Sequence, residues 1–290
     1  MKVALSTDTS CSISKEIAQK YNINVFPLNV IVDGNEYLDG VTINQEQLMV
    51  SMRDNKNIKT STPPPGDIIN YFTELFNQGY DYVIHFTISS KLSSMNNLFN
   101  NVSQDYFDNK VIVIDSYSLS TVMLSHVFYA YELINKGVEP EQIRNIMNER
   151  ILDGKIVFVP ENLKALKNGG RISPVIAAML GIAGLKPVLS LIDGKLEKEA
   201  LAKNIKKLFH EKITDLATTH PIDKYDYVIA VFDTDPALVE FVNKELLLAF
   251  PDYKAPVFPI AINVCAHCGP GTLGLIVSPK FEGHSLVEYL

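Results

Sequence analysis

The sequence predicts an α/β protein, and three observations carry that prediction. Short apolar runs of strand length alternate with longer amphipathic stretches, the pattern of a mostly parallel sheet flanked by helices. Small hydroxyl and acidic residues follow the early strands, as Ser6-Thr7-Asp8-Thr9-Ser10, Thr87-Ile88-Ser89-Ser90 and Asp115-Ser116. Near Asp153-Gly154 the pattern restarts, which divides the 290 residues into an amino-terminal α/β domain, 1–153, and a smaller carboxy-terminal α/β domain, 154–290.

Taken in order, Val3-Ala4-Leu5 reads as a strand and Ser12 as the cap of a helix through Ile17 and Tyr21. Val25–Val32 reads as a single strand closed by the turn Asp33-Gly34. Thr42-Ile43-Asn44-Gln45 fits a capping box ahead of a helix carrying Leu48, Met49 and Met52. Thr60, Ser61 and Thr62 then run into Pro63-Pro64-Pro65. Proline fixes φ and pushes the preceding residue out of the helical region, so a stiff extended loop presenting hydroxyls is expected. A plain proline-rich connector fits the same letters. Asp67 caps the next helix, whose apolar face is Ile68, Ile69, Phe72, Leu75 and Phe76. Strand Tyr82–Thr87, helix Ser94–Val102, strand Val111–Ile114 and a long helix from Ser120 to Lys136 complete this half.

The second half opens with strand Lys155–Val159 and a short helix over Leu163–Leu166. The loop Gly169-Gly170-Arg171-Ile172-Ser173-Pro174 follows, then Val175–Leu185, which is apolar on every side and so expected to be buried all round. Lys186–Ile192 and Lys195–Ala200 flank Asp193-Gly194, a strong hairpin signal. A helix carrying Ile205, Leu208, Phe209 and Ile213 comes next, then strand Tyr227–Phe232, helix Pro236–Phe250, and strands Val257–Val264 and Leu273–Val277.

Composition narrows the function. The net charge is -7, and no basic cluster exceeds Lys206-Lys207, which argues against nucleic acid and anionic membrane surfaces. Met1–Asp8 turns polar too early for a signal peptide, and no run reaches the ~20 apolar residues of a membrane span. Three cysteines close no disulfide framework, so a reducing cytoplasm is expected. Gly269-Pro270-Gly271-Thr272-Leu273-Gly274 matches G-x-G-x-x-G but runs into a strand instead of opening a helix. Cys265-Ala266-His267-Cys268 lacks the further ligands of a zinc site, and its redox role stays open. No metal and no cofactor are expected.

What remains is a hydroxyl-rich edge. Open α/β sheets bind ligands beyond the carboxyl ends of their strands, although Ser and Thr also serve simply as helix caps. Arg171, behind two glycines, suits a carboxylate or phosphate, and a surface arginine fits as well. His267 is expected on a glycine-rich loop just past a strand. A triad of Ser93 or Ser94 with His267 and Asp115 would make a small-molecule hydrolase, the alternative reading, but G-x-S-x-G is absent.

Seven segments together resemble the DegV family of bacterial fatty-acid-binding proteins. They are Thr7–Ser10, Lys59–Pro63, Ile88–Ser93, Val113–Ser116, Leu166–Ser173, Leu185–Leu189 with Asp193-Gly194, and His267–Gly271. The resemblance covers essentially the whole chain. Two departures stand out: Thr62 replaces a residue that is usually Gln, and Ser94-Met95 replaces Gly-Thr or Gly-Ser after Ser93. The resemblance implies a long-chain fatty acid bound near the domain junction, its tail in a tunnel enclosed mainly by the second domain, with Val175–Leu185 as a tunnel wall. Its carboxylate would be held by Thr60 and Ser93, helped by Ser61 and Ser94, with Arg171 and His267 beside it. It also implies a non-catalytic role: the bound acid is presented to a separate kinase subunit that makes acyl phosphate from ATP.

Overall fold

The computed structural model describes residues 1–150, 152–160, 166–167, 170–173, 176 and 184–290. The first half runs Val3–Asp8 (β1), Lys15–Lys20 (α1), Ile23–Phe26 (β2), Asn29–Val32 (β3), Asn35–Leu38 (β4), Gln45–Arg53 (α2) and Ile58–Ser61 (β5). It continues with Pro65–Asn77 (α3), Tyr82–Thr87 (β6), Met95–Tyr106 (α4), Val111–Asp115 (β7), Ser120–Asn135 (α5) and Pro140–Arg150 (α6). The second half contributes Lys155–Val159 (β8), Lys186–Ile192 (β9), Lys195–Ala202 (β10), Ile205–Thr219 (α7) and Tyr225–Phe232 (β11). Pro236–Ala249 (α8), Val257–Pro259 (β12), Ile262–Cys268 (α9) and Thr272–Pro279 (β13) follow.

Three sheets result. β2-β1-β6-β7 is parallel throughout and carries α3 and α4 on one face, where Phe72, Phe99 and Met95 are buried. β10-β9-β8-β13-β11-β12 is antiparallel except for its last pair, and α7 and α8 cover its outer face through Phe209, Ile213, Val242 and Leu246. A small antiparallel sheet, β4-β3-β5, flanks them. Between the two large sheets runs α5, apolar on nearly every side, as its burial from Ser120 through Ala130 requires. It packs on β1 and on β13, where Ser278 donates to Thr121 at 3.1 Å. The largest core joins both sheets through it, from Leu5 and Ile84 to Ile156 and Ile276.

Six expectations change. Asn44 with Gln47, instead of Thr42 with Gln45, forms the capping box of α2, and Asp67 lies inside α3, which starts at Pro65 without a side-chain cap. The run Val25–Val32 is two strands in two sheets, because Pro27 supplies no N–H to continue the ladder. Ser12 lies in the left-handed region, with φ 63°, and Ser14 caps α1 by accepting from the Ile17 N–H at 3.2 Å. The stretch expected as a stiff loop is partly an edge strand, since Thr60 and Ser61 belong to β5, paired with Val30 and Asn29. Val257–Val264 ends as a strand at Pro259, and α9 carries His267 in its last turn. Val175–Leu185 lies almost wholly outside the described residues, as do Leu163–Ala165. No helix among the described residues is long and apolar enough to cross a membrane.

Candidate functional site

The parallel sheet delivers its carboxyl-end loops to a cavity that the second sheet walls with strand faces. Leu28 follows β2, Ile88, Leu92 and Ser93 follow β6, and Leu119 and Ser120 follow β7. Opposite them stand Ile156, Phe158, Ala230, Gly274 and Ile276, all from the face of the second sheet turned toward α5. In register, Gly274 pairs with both Phe158 and Ala230, so two small residues lie side by side on the wall. The alternate positions, Val157, Leu273, Leu275 and Val277, face the other way into the outer core, as the period of two requires. Leu191 and Leu196 of the β9–β10 hairpin extend the apolar lining.

The polar end comes from β5 and α9. Thr60 Oγ1 lies 2.8 Å from His267 Nε2, joining side chains 207 positions apart. Burial pushes the His267 imidazole down to about 4, and the charge of Arg171 acts in the same direction, so the ring is neutral at neutral pH. If Nε2 carries the hydrogen and donates to Thr60, the threonine hydroxyl hydrogen is free for a ligand. Ser61 Oγ is buried with no hydrogen-bond partner among the described residues. Arg171 donates from Nε to the Leu92 carbonyl at 3.2 Å, which sets its guanidinium beside the loop bearing Ser93.

Of the residues singled out in the sequence, Thr60, Ser61, Ser93, Arg171 and His267 line this one cavity. Ser94 does not: it is exposed and occupies the cap position of α4. Asp115 accepts the N–H groups of Ser90 at 3.1 Å and Tyr117 at 2.9 Å, so it shapes the loop instead of orienting a catalytic histidine. The Asp8–Ser10 loop also supports the site without lining it. Asp8 accepts the Ile88 N–H at 2.8 Å and Thr9 accepts the Leu28 N–H at 3.2 Å, which fixes two lining segments. Burial raises the Asp8 carboxyl to about 6.

The loop at 88–93 is held from the second half as well. Ser89 donates to the Gly194 carbonyl at 2.8 Å, so the β9–β10 turn is docked on it. Gly194 has φ +78°, and a Cβ there would lie 2.5 Å from Ser89 Oγ and 3.0 Å from the Tyr117 ring.

Sequence reasoning missed Asn29, Ser120 and Asn263, which also line the cavity. Ser120 is buried at φ 53°, and its hydroxyl has no partner among the described residues. Cys268 lies in the wall and Cys265 behind it, both thiols buried. Among the described residues no cluster of side chains has the makings of a metal site.

Fold and cavity together define an α/β protein with an amphipathic pocket between two sheets, polar at one end and apolar along its walls. The chain belongs to the DegV family, whose sequence profile, described as an uncharacterised protein family, matches residues 2–280. A DegV domain-containing protein of Staphylococcus aureus is 29% identical over 285 residues, spanning 96% of this chain and 99% of that one. Among solved structures, a fatty-acid-binding DegV family protein from Thermus thermophilus superposes with a TM-score of 0.86 at 26% identity, covering 96% of this chain and all of that one. A stearic-acid-binding protein from Eubacterium ventriosum gives a TM-score of 0.84 at 27% identity, covering 97% and 99%.

Proposed function

We propose that this protein binds a long-chain fatty acid, its carboxylate among Thr60, Ser61, Ser93, Arg171 and His267 and its tail against the inner face of the second sheet. One observation carries the reading: a cavity with apolar walls ends in hydroxyls, an imidazole and a guanidinium, one of the hydroxyls buried without a partner among the described residues. A carboxylate taken out of water must be matched by hydrogen bonds or a cation. Charge-assisted hydrogen bonds contribute ~1.5–3 kcal/mol each. Each buried methylene adds ~0.8 kcal/mol, so a long tail contributes on the order of 10 kcal/mol gross. The tail therefore dominates affinity, and the polar end fixes orientation. The fatty-acid-binding relatives from Thermus thermophilus and Eubacterium ventriosum support the same reading.

In this proposal residues 1–153 supply the head-group loops and 154–290 the tail wall, apart from Arg171 and His267 at the polar end. The protein acts in the cytoplasm as a carrier and presents the acid to a separate ATP-dependent kinase subunit. Resemblance to the family is what supports the kinase step, and acyl phosphate formed only when such a subunit and ATP are added would test it. The hydrolase reading loses its geometry, because His267 bonds Thr60 and Asp115 is engaged in its own turn. Native mass spectrometry after incubation with 16- and 18-carbon acids tests the binding claim. One added fatty acid per chain is expected; a spectrum of the bare chain alone overturns it.

A further inference from the structure

Resting on the fatty-acid reading, we propose that Asn263 is a further head-group ligand, which the sequence motifs do not mark. Three buried polar atoms without a hydrogen-bond partner among the described residues belong to residues lining the cavity: Ser61 Oγ, Ser120 Oγ and Asn263 Oδ1. A buried polar group left unpaired is costly, so each of these atoms calls for an explanation.

Asn263 has the clearest one. Ile260, Asn263, Val264, His267 and Cys268 all line the cavity, and their spacing of three and four is one face along α9 and the residues that lead into it. Asn263 lies one turn before His267 on that face, so the two side chains are neighbours at the polar end. The helix packs on β3 and β5, the strands that carry Asn29 and Ser61 as a directly paired couple.

The backbone of this helix is anchored without the Asn263 amide. Asp39 accepts the Asn263 N–H at 2.8 Å, Ser12 accepts the Ala261 N–H at 3.0 Å, and Gln45 donates to the Ile260 carbonyl. Asn is a poor helix former, and at a position 6% exposed an apolar side chain would be less costly. The amide is therefore explained by what enters the cavity. A half-turn about χ2 presents its NH2 to a carboxylate oxygen, joining Ser61 from the facing strand.

The test compares a 16-carbon acid with the alcohol of the same length on the full chain, the wild type beside Asn263→Leu and Asn263→Ala. Both variants are expected to stay folded by circular dichroism. The preference for acid over alcohol should fall about tenfold in each, because the lost bond is to a charged oxygen. An unchanged preference in a folded variant overturns the assignment, and so does an equal loss for acid and alcohol, which would make Asn263 a wall residue. A wild-type chain that binds neither compound overturns the fatty-acid reading itself.

Discussion

The two large sheets serve the cavity in opposite ways. The parallel sheet hides its strands in cores and offers only the loops beyond their carboxyl ends, whereas the antiparallel sheet offers the strand face itself. Loops can bring backbone and short polar side chains to a point, while a face gives a continuous apolar wall with every second residue. An amphipathic ligand needs both, and the chain divides the work between its halves. The polar end is completed by α9 and Arg171, which come from the second half in sequence yet meet the first half in space.

The wall should give the largest effect. Ala230→Phe projects a ring from beside Gly274 into the tail path, displacing roughly three to five methylenes and weakening long-chain binding by about 2–4 kcal/mol. Calorimetry over chain lengths checks it: short acids should bind nearly as before, and a loss independent of length would mean the tail lies elsewhere. Ser93→Ala removes one proposed head-group bond and should cost ~1.5–3 kcal/mol for the acid without unfolding the protein. Unchanged acid affinity would remove Ser93 from the site.

Gly194→Val tests the link between the halves, because it combines a left-handed backbone with contact on Ser89. A loss of about 1–3 kcal/mol in urea denaturation is expected, with weaker binding of every acid tried. Wild-type stability would show that the turn rests there without constraint.

The effect confined to the parallel sheet is the smallest at neutral pH and grows only in acid. His85 is buried against Phe99, ring centroids 4.3 Å apart, with Nδ1 2.7 Å from Ser6 Oγ. Burial lowers it from 6.5 to about 3, so its contribution to stability is full above pH 6.5 and is lost as pH falls toward 3. His126 acts in the same sense, while Asp8 and Asp39, raised to about 6, act oppositely as pH falls below that value. His85→Phe should flatten the decline below pH 6.5 by up to about 1.4 kcal/mol per pH unit. An unchanged slope in urea midpoints would show that the ring titrates alike in the folded and unfolded chain.

Much of this was legible in the letters, and the exceptions have physical causes. Alternating apolar runs and glycine turns marked most of the strands and helices, and the hairpin at Asp193-Gly194 stands where its dipeptide placed it. Hydrophobicity alone could not say that β2 and β3 join different sheets, because a run records burial and not the neighbour. The apolar residues after Pro259 looked like strand because a short buried helix has the same composition. That error hid Asn263: on a strand it falls four places from His267 with no evident relation, whereas on a helix it lies directly behind it. Ser120 carried no signal beyond its position before a long apolar helix. Thr60 and Ser61 were visible because they run into three prolines, and Ser93 because its segment resembles one of the DegV family.

The loop bearing Ser93 is gripped twice from the far half, at Ser89 by the hairpin turn and at Leu92 by Arg171. This bears on how relatives could be recombined. A chimera that kept residues 1–153 and took its remainder from another family member would inherit foreign clamps on its own serine. Under the proposed function, chain-length preference could not then be transplanted without also retuning how the acid end is seated.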